Sequence, residues 1–309
     1  NNKTTSENFP YHLSYDWGDS QRIVRANNLL QKRQFHTVNS FVEIQTDTTS
    51  ISARILLPLL AKNLWFEKFS STSNDLSILK EDALKILSAW NGDMNQSNSE
   101  PLIYVSWLAN FQEMLMADEL GNFYQKMTNI RPLFLERVLR NKEGASEWCD
   151  IIQTQEKESC EEISKRSLNA ALKQLQKKFG SNINDWRWGD SHIAVHRSSM
   201  LGSKPILSFF TNIVHEISGG DNTIMMSRML NGQKNNHNAY YGSTLRAIYD
   251  FSENDNSLFI ISTGQSGHFL SKHYDDQSVV WQKQQYLPMK YDKTLTQGRS
   301  VGTITFEPK

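Results

Sequence analysis

Cysteine is nearly absent from this sequence, with Cys149 and Cys160 the only two in 309 residues. That scarcity excludes a disulfide-dense scaffold, and no CxxC or HxxxH-plus-Cys set supplies the four ligands at close spacing that a structural zinc site needs. The pair flanks the mostly polar stretch 150–159. In an exported protein this spacing closes a short loop by a disulfide, whereas in the cytosol it gives two free thiols, and spacing alone does not decide. Long apolar runs are also missing: the longest, 55–61, has seven residues and contains Pro58, far short of the roughly 18–20 that span a bilayer. Neither sign of charge prevails, because 33 basic and 33 acidic side chains cancel. Nucleic acid and membrane are therefore not expected partners. There is no phosphate-binding loop, no dinucleotide fingerprint, no internal repeat and no low-complexity linker. The sequence opens at Asn1 with neither an initiator Met nor a charged-then-apolar leader, which reads as a piece of something longer.

What is present is enough apolar and aromatic content, 38% and 11%, to bury a core and to exclude general disorder. Residues 1–180 read as mainly helical, with apolar side chains three and four apart, and residues 181–309 as mainly strand. Helices are expected over 22–31, 47–66, 75–90, 101–119, 132–141 and 159–179, each with one polar and one apolar face, and Pro58 should kink the second. The last is the clearest. Ser159 and Glu162 fit a capping box, Ile163, Leu168, Ala171, Leu172, Leu175 and Phe179 form one stripe, and Gly180 supplies the C-terminal cap. Strands are expected over 192–198, 223–229, 244–251, 257–263 and 300–306, separated by the turn residues of 219–221, 231–238 and 253–256. A helical stretch followed by strands predicts one α+β domain, or part of one, over 1–309.

Several familiar constellations fail. Gly264-Gln265-Ser266-Gly267 lacks the GxSxG spacing of a nucleophile elbow and reads as a tight turn. His192 and His196 share a strand face but need a third ligand to hold a metal. His215-Glu216 lacks the second His of HExxH, and His268 and His273 sit among polar loop residues. A metal hydrolase built from these five histidines is a weak alternative.

A series of motifs in fixed order carries further. Asn1-Asn2, Phe9-Pro10, Trp17-Gly18, Gln21-Arg22-Ile23 and Leu29-Leu30 are followed by Gln45-Thr46-Asp47, Ser50, Ala53 and Leu57-Pro58-Leu59-Leu60. Then come Trp148-Cys149-Asp150 with Cys160, Trp186-Arg187-Trp188-Gly189 with His192, and Gly219-Gly220-Asp221-Asn222-Thr223. The final block is Tyr241-Gly242-Ser243 with Arg246, Ser262-Thr263-Gly264-Gln265-Ser266-Gly267, His273-Tyr274-Asp275-Asp276-Gln277, Trp281 and Tyr286-Leu287-Pro288. In this order over residues 1–288 the chain resembles the penicillin acylases, also called penicillin amidases.

That resemblance implies the C-terminal portion of a large chain, hence the later part of an N-terminal-nucleophile αββα sandwich with a helical insertion. Such enzymes hydrolyse an acyl amide with the serine that opens the large chain, its own α-amine acting as base. The resemblance puts that serine upstream of Asn1, so Ser6, Ser14 and Ser20 do not replace it, and the isolated chain is expected to be inactive. It makes the missing N-terminal parts of the same precursor the partners and a small acyl amide the substrate. Asn1, with Asn2 beside it, matches the oxyanion asparagine, and its amide NH₂ is the right donor for a developing negative oxygen. Arg22 matches the active-site arginine. A fixed guanidinium there would disfavour the protonated α-amine and keep the base neutral. The resemblance also favours a Cys149–Cys160 disulfide and a periplasmic or secreted location. The chemistry requires no cofactor. Calcium is often held in this family, but the contributing aspartate would fall near Tyr11 or His12, neither a carboxylate, so its ligands are expected mostly outside this chain. The contrasting expectation is a truncated, non-catalytic remnant or binding fragment of such an enzyme.

Overall fold

The computed structural model describes residues 3, 5–6, 8–15, 17–67, 75–127, 129–229, 237–298 and 300–308. The chain forms two compact units that interleave in sequence: 1–32, 47–195 and 214–242 make the first, and 33–46, 196–213 and 243–309 the second. The helices are α1 (Gln21–Gln31), α2 (Val38–Gln45), α3 (Ile51–Leu60), α4 (Asp75–Ala89), α5 (Glu100–Leu120), α6 (Pro132–Leu139), α7 (Cys160–Phe179), α8 (Pro205–Thr211), α9 (Ser278–Gln282) and α10 (Lys293–Gln297). The strands are β1 (Ile193–His196), β2 (Ile213–Glu216), β3 (Ser227–Met229), β4 (Ala239–Gly242), β5 (Leu245–Ile248), β6 (Leu258–Ile261) and β7 (Leu287–Pro288).

The first unit holds the main core, gathered around α5. This helix departs from the expected two-faced pattern. Thirteen of its residues are buried, among them Leu102, Trp107, Phe111 and Leu115, because α4, α7 and neighbouring turns enclose it. Trp107 anchors α5 to α7, its indole N–H donating to the Ser164 carbonyl at 3.0 Å and the Ser167 hydroxyl at 3.1 Å. The Ser164 hydroxyl in turn donates to the Leu60 carbonyl at 2.7 Å, satisfying one of the carbonyls left open where α3 ends. In α7 the capping box is formed as the sequence indicates, Ser159 accepting from the Glu162 N–H while the Glu162 carboxylate accepts from the Ser159 N–H. Gly180 closes it with φ of 87°. Cys160, the first residue of this helix, is joined to Cys149 as a disulfide, their Cα atoms 5.0 Å apart.

The helix expected over 47–66 is shorter. It starts at Ile51, capped by the Ser50 hydroxyl, since 47–50 are drawn into tertiary contacts such as Ser50 N–H to Gly92 carbonyl at 2.8 Å. It passes through Pro58 without interruption, gives way to a turn, and is followed by a 3₁₀ turn at Leu64–Phe66. In the sheet ordered β2-β1-β4-β3, β1 runs parallel to β4 and β3 antiparallel to it, with a bulge between Arg228 and Met229.

The second unit contains the antiparallel sheet β5-β6-β7. Its helix α2 is not among those expected from the sequence, although Val38, Phe41 and Val42 stand three and four apart. A capping box between Thr37 and Ser40 starts it, with serine where glutamate or glutamine is usual. Gln45 at its end donates to the Ala247 carbonyl at 3.1 Å and accepts from the Tyr286 hydroxyl at 2.7 Å. The strand expected over 300–306 does not form. Ile304 and Phe306 are exposed there, and alternation without a neighbouring strand to pair with cannot hold an extended segment.

Candidate active site

Arg22 lies in the first turn of α1. Its Nε donates to the Thr223 carbonyl at 2.9 Å and its Nη2 to the Ile224 carbonyl at 3.3 Å. Two successive peptide oxygens thus hold the guanidinium in one plane, leaving its remaining N–H groups for other partners. Burial, and then the repulsion of Arg228, push its pKa down from the ordinary arginine value, while Tyr241 opposes the shift. Three residues on, Arg25 makes a two-pronged ion pair with Asp47, Nε to Oδ1 at 3.0 Å and Nη2 to Oδ2 at 2.7 Å. The hydrogen bond to Asp47 raises the Arg25 pKa. The Asp47 carbonyl accepts the Met225 N–H at 3.0 Å.

The turn that receives Arg22 opens on two glycines and closes on Thr223 and Ile224. Gly219 has φ of 94°, and a Cβ placed on it would come within 2.4 Å of the Met225 carbonyl oxygen, so only glycine fits. The Gly219 carbonyl accepts the Trp188 indole N–H at 3.0 Å, and its N–H donates to the Met94 carbonyl at 2.8 Å. The Thr223 hydroxyl, wholly buried, accepts from the Gly220 N–H at 3.0 Å and donates to the Met225 carbonyl at 2.7 Å. Three motif blocks far apart in sequence therefore meet: Arg22, Asp47 and 219–223. The sequence singles out Arg22. It gives no sign that Arg25, Asp47 and Thr223 brace the same place, because the decisive acceptors are backbone carbonyls. Asn1 and Asn2 lie outside the described residues.

His192 is structural. Its ring stacks on Trp188 with centroids 4.5 Å apart. Its Nδ1 lies 2.6 Å from the His237 carbonyl and its Nε2 2.7 Å from the Ser227 hydroxyl. The carbonyl can only accept, so in the neutral ring Nδ1 carries the proton and Nε2 accepts a hydrogen bond from the Ser227 hydroxyl. Neither nitrogen is left for a metal. Burial pushes its pKa down to about 4. His237, next to it, is lowered to about 3 by burial and then by the proximity of His192 and Lys178.

The last motif block serves packing in the second unit. Arg246, buried, donates to the Trp281 carbonyl at 2.6 Å and lies between the Trp281 and Tyr286 rings, 5.6 and 5.4 Å from their centroids. The Trp281 indole donates to the Ser243 carbonyl at 2.9 Å. Gly264 packs so closely on the His273 carbonyl that a Cβ would lie 2.2 Å away, and the Ser266 N–H donates to that same carbonyl at 2.9 Å. This is a tight turn, with His273 paired to Asp276 at 2.7 Å. Among the described residues no group of three or more His, Cys, Asp or Glu side chains is placed to hold a metal, and Tyr11 and His12 supply no carboxylate for calcium.

Among known families, the one described as penicillin amidase matches residues 1–297. The chain is similar to the acyl-homoserine lactone acylase QuiP of Pseudomonas syringae pv. tomato, with 26% identity over 97% of this chain and 39% of that protein. It is likewise similar to the QuiP acylase of Pseudomonas aeruginosa, at 23% over 94% of this chain and 37% of that one. The penicillin acylase 2 proenzyme of Pseudomonas sp. strain SE83 is 21% identical over 94% of this chain and 36% of its own length. The chain thus spans less than half the length of these relatives. Among solved structures, the thermostable penicillin G acylase of Alcaligenes faecalis superposes with a TM-score of 0.56 at 17% identity, covering 100% of this chain and 56% of that one. The likeness shows the fold, an α+β architecture shared with that acylase.

Proposed function

The chain belongs to the penicillin amidase family, and from that premise we propose that it forms part of an enzyme hydrolysing a linear acyl amide, with Asn1 as oxyanion donor and Arg22 as active-site arginine. The observation that carries this reading is the seating of Arg22 on the Thr223 and Ile224 carbonyls. A solvated helix-start charge would need no such cradle; a guanidinium that must act at one point does.

In this reading a serine opening the large chain, on a segment that precedes Asn1 in the complete protein, attacks the acyl carbonyl with its α-amine as base. The Asn1 amide donates to the oxygen as it becomes negative. Arg22 raises the cost of a second positive charge nearby and so keeps the amine neutral and able to take the serine proton. The step needs no cofactor. The relatives are named for acyl-homoserine lactones and for penicillin, so the substrates are small molecules whose acyl chain is joined to a ring-bearing amine. The Cys149–Cys160 disulfide supports a periplasmic or secreted enzyme.

The test is kinetic, on the protein made from the complete reading frame. Asn1→Ala should lower kcat by about 100-fold or more with little change in KM, as expected when one oxyanion donor is removed. Turnover equal to that of the parent would exclude the assignment of Asn1. A folded parent that turns over no acyl amide would favour a non-catalytic remnant instead.

A further inference from the structure

We infer that Thr223 and Asp47 are positioning residues for Arg22, holding the turn on which the guanidinium rests. The inference builds on the assignment of Arg22 made above. Helix α1 is poorly anchored by apolar burial: Gln21 is its one buried residue, and Ile23, Val24 and Leu30 are exposed. Its place is therefore set largely by Arg22 and Arg25, three apart and so on one face. Arg25 is fixed by the Asp47 carboxylate, which also accepts the Thr49 N–H at 3.2 Å. The Asp47 carbonyl holds the Met225 N–H.

Thr223 closes the other side. Its hydroxyl bridges Gly220 N–H and Met225 carbonyl, pinning both ends of the turn that presents the Thr223 and Ile224 oxygens. Asp47 and Thr223 therefore grip the same few residues from two directions, and neither needs to touch a substrate. Arg228 and Tyr241 also act on the Arg22 guanidinium, the first lowering its pKa and the second raising it.

The experiment measures the pH profile of kcat/KM for acyl-homoserine lactone hydrolysis by the complete enzyme. Thr223→Val keeps the shape and removes the bridge. It should lower kcat about tenfold through misplacement of Arg22. The acid limb should move to higher pH, toward the ordinary α-amine range of about 7.7–8.0, with KM little changed. Thr223→Ser, which retains the hydroxyl, should restore both. Asp47→Asn should shift the limb in the same direction and decides the matter if Thr223→Val does not fold. Arg22→Gln separates the two levels of the proposal. A parent-like profile in Arg22→Gln would overturn the role of Arg22 itself. A shifted profile in Arg22→Gln beside parent-like profiles in the folded Thr223 and Asp47 variants would overturn the positioning inference alone.

Discussion

The imidazole of His192 donates to the His237 carbonyl and accepts from Ser227, bonds that suit a neutral ring enclosed by Trp188 and the strand residues around it. Protonation puts a positive charge where both hydrogen-bond partners are uncharged and burial removes water. The folded pKa of about 4 lies below the ordinary 6.5, so as pH falls the unfolded chain takes up a proton first. The resulting stability is fully present above about pH 6.5 and is lost as the pH drops toward 4. Between pH 7 and pH 5 the loss from His192 is on the order of 2 kcal/mol. Urea denaturation of the complete protein at these two pH values should show it, and the difference should shrink in His192→Gln. Equal stability at both would contradict a buried neutral ring. In the sequence His192 stands out only as a motif member, because its partners are a backbone carbonyl 45 residues away and a hydroxyl 35 residues away. Arg22 was legible through its motif, whereas the carbonyls that seat it were not.

At the scale of elements, periodicity located the helices whose burial is one-sided, α1, α4, α6 and α7, within a residue or two. It misjudged α5, whose polar residues Ser106, Asn110 and Gln112 are buried and hydrogen-bonded inside the core. Such polar residues imitate a solvent face in the pattern. The strands were harder, since each is two to four residues long and is extended by its pairing more than by its own side chains. β2, β4 and β7 fall outside the expected strands for that reason, and the segment 300–306, which reads as a strand, does not form one. The central place of α5 makes a prediction. Trp107→Ala should destabilise the protein by about 3–5 kcal/mol through the cavity it leaves, read as a lower urea midpoint, while Trp107→Phe, which loses chiefly the bonds to Ser164 and Ser167, should cost less. Similar midpoints for the two variants would show that indole packing does not hold α5 to α7.

At the scale of the whole molecule, the order of motifs was the informative feature. Composition, charge and spacing gave an α+β chain with a real core and removed nucleic acid, membrane spans and metal fingers from consideration, but they did not name a reaction. The motif series pointed to the family, and in the structure residues that lie as far apart as Arg22, Asp47 and Thr223 converge on one turn. A chain covering 39% of the QuiP acylase of Pseudomonas syringae pv. tomato must be tested within its complete protein. The most direct measurement is mass analysis of the products when that protein is incubated with an N-acyl-homoserine lactone and with a penicillin. Release of the free carboxylic acid together with the intact ring-bearing amine, from at least one of them, is the predicted result. An acyl amide that stays whole in both, or a ring opened while the acyl chain remains attached, would contradict an acyl-amide hydrolase.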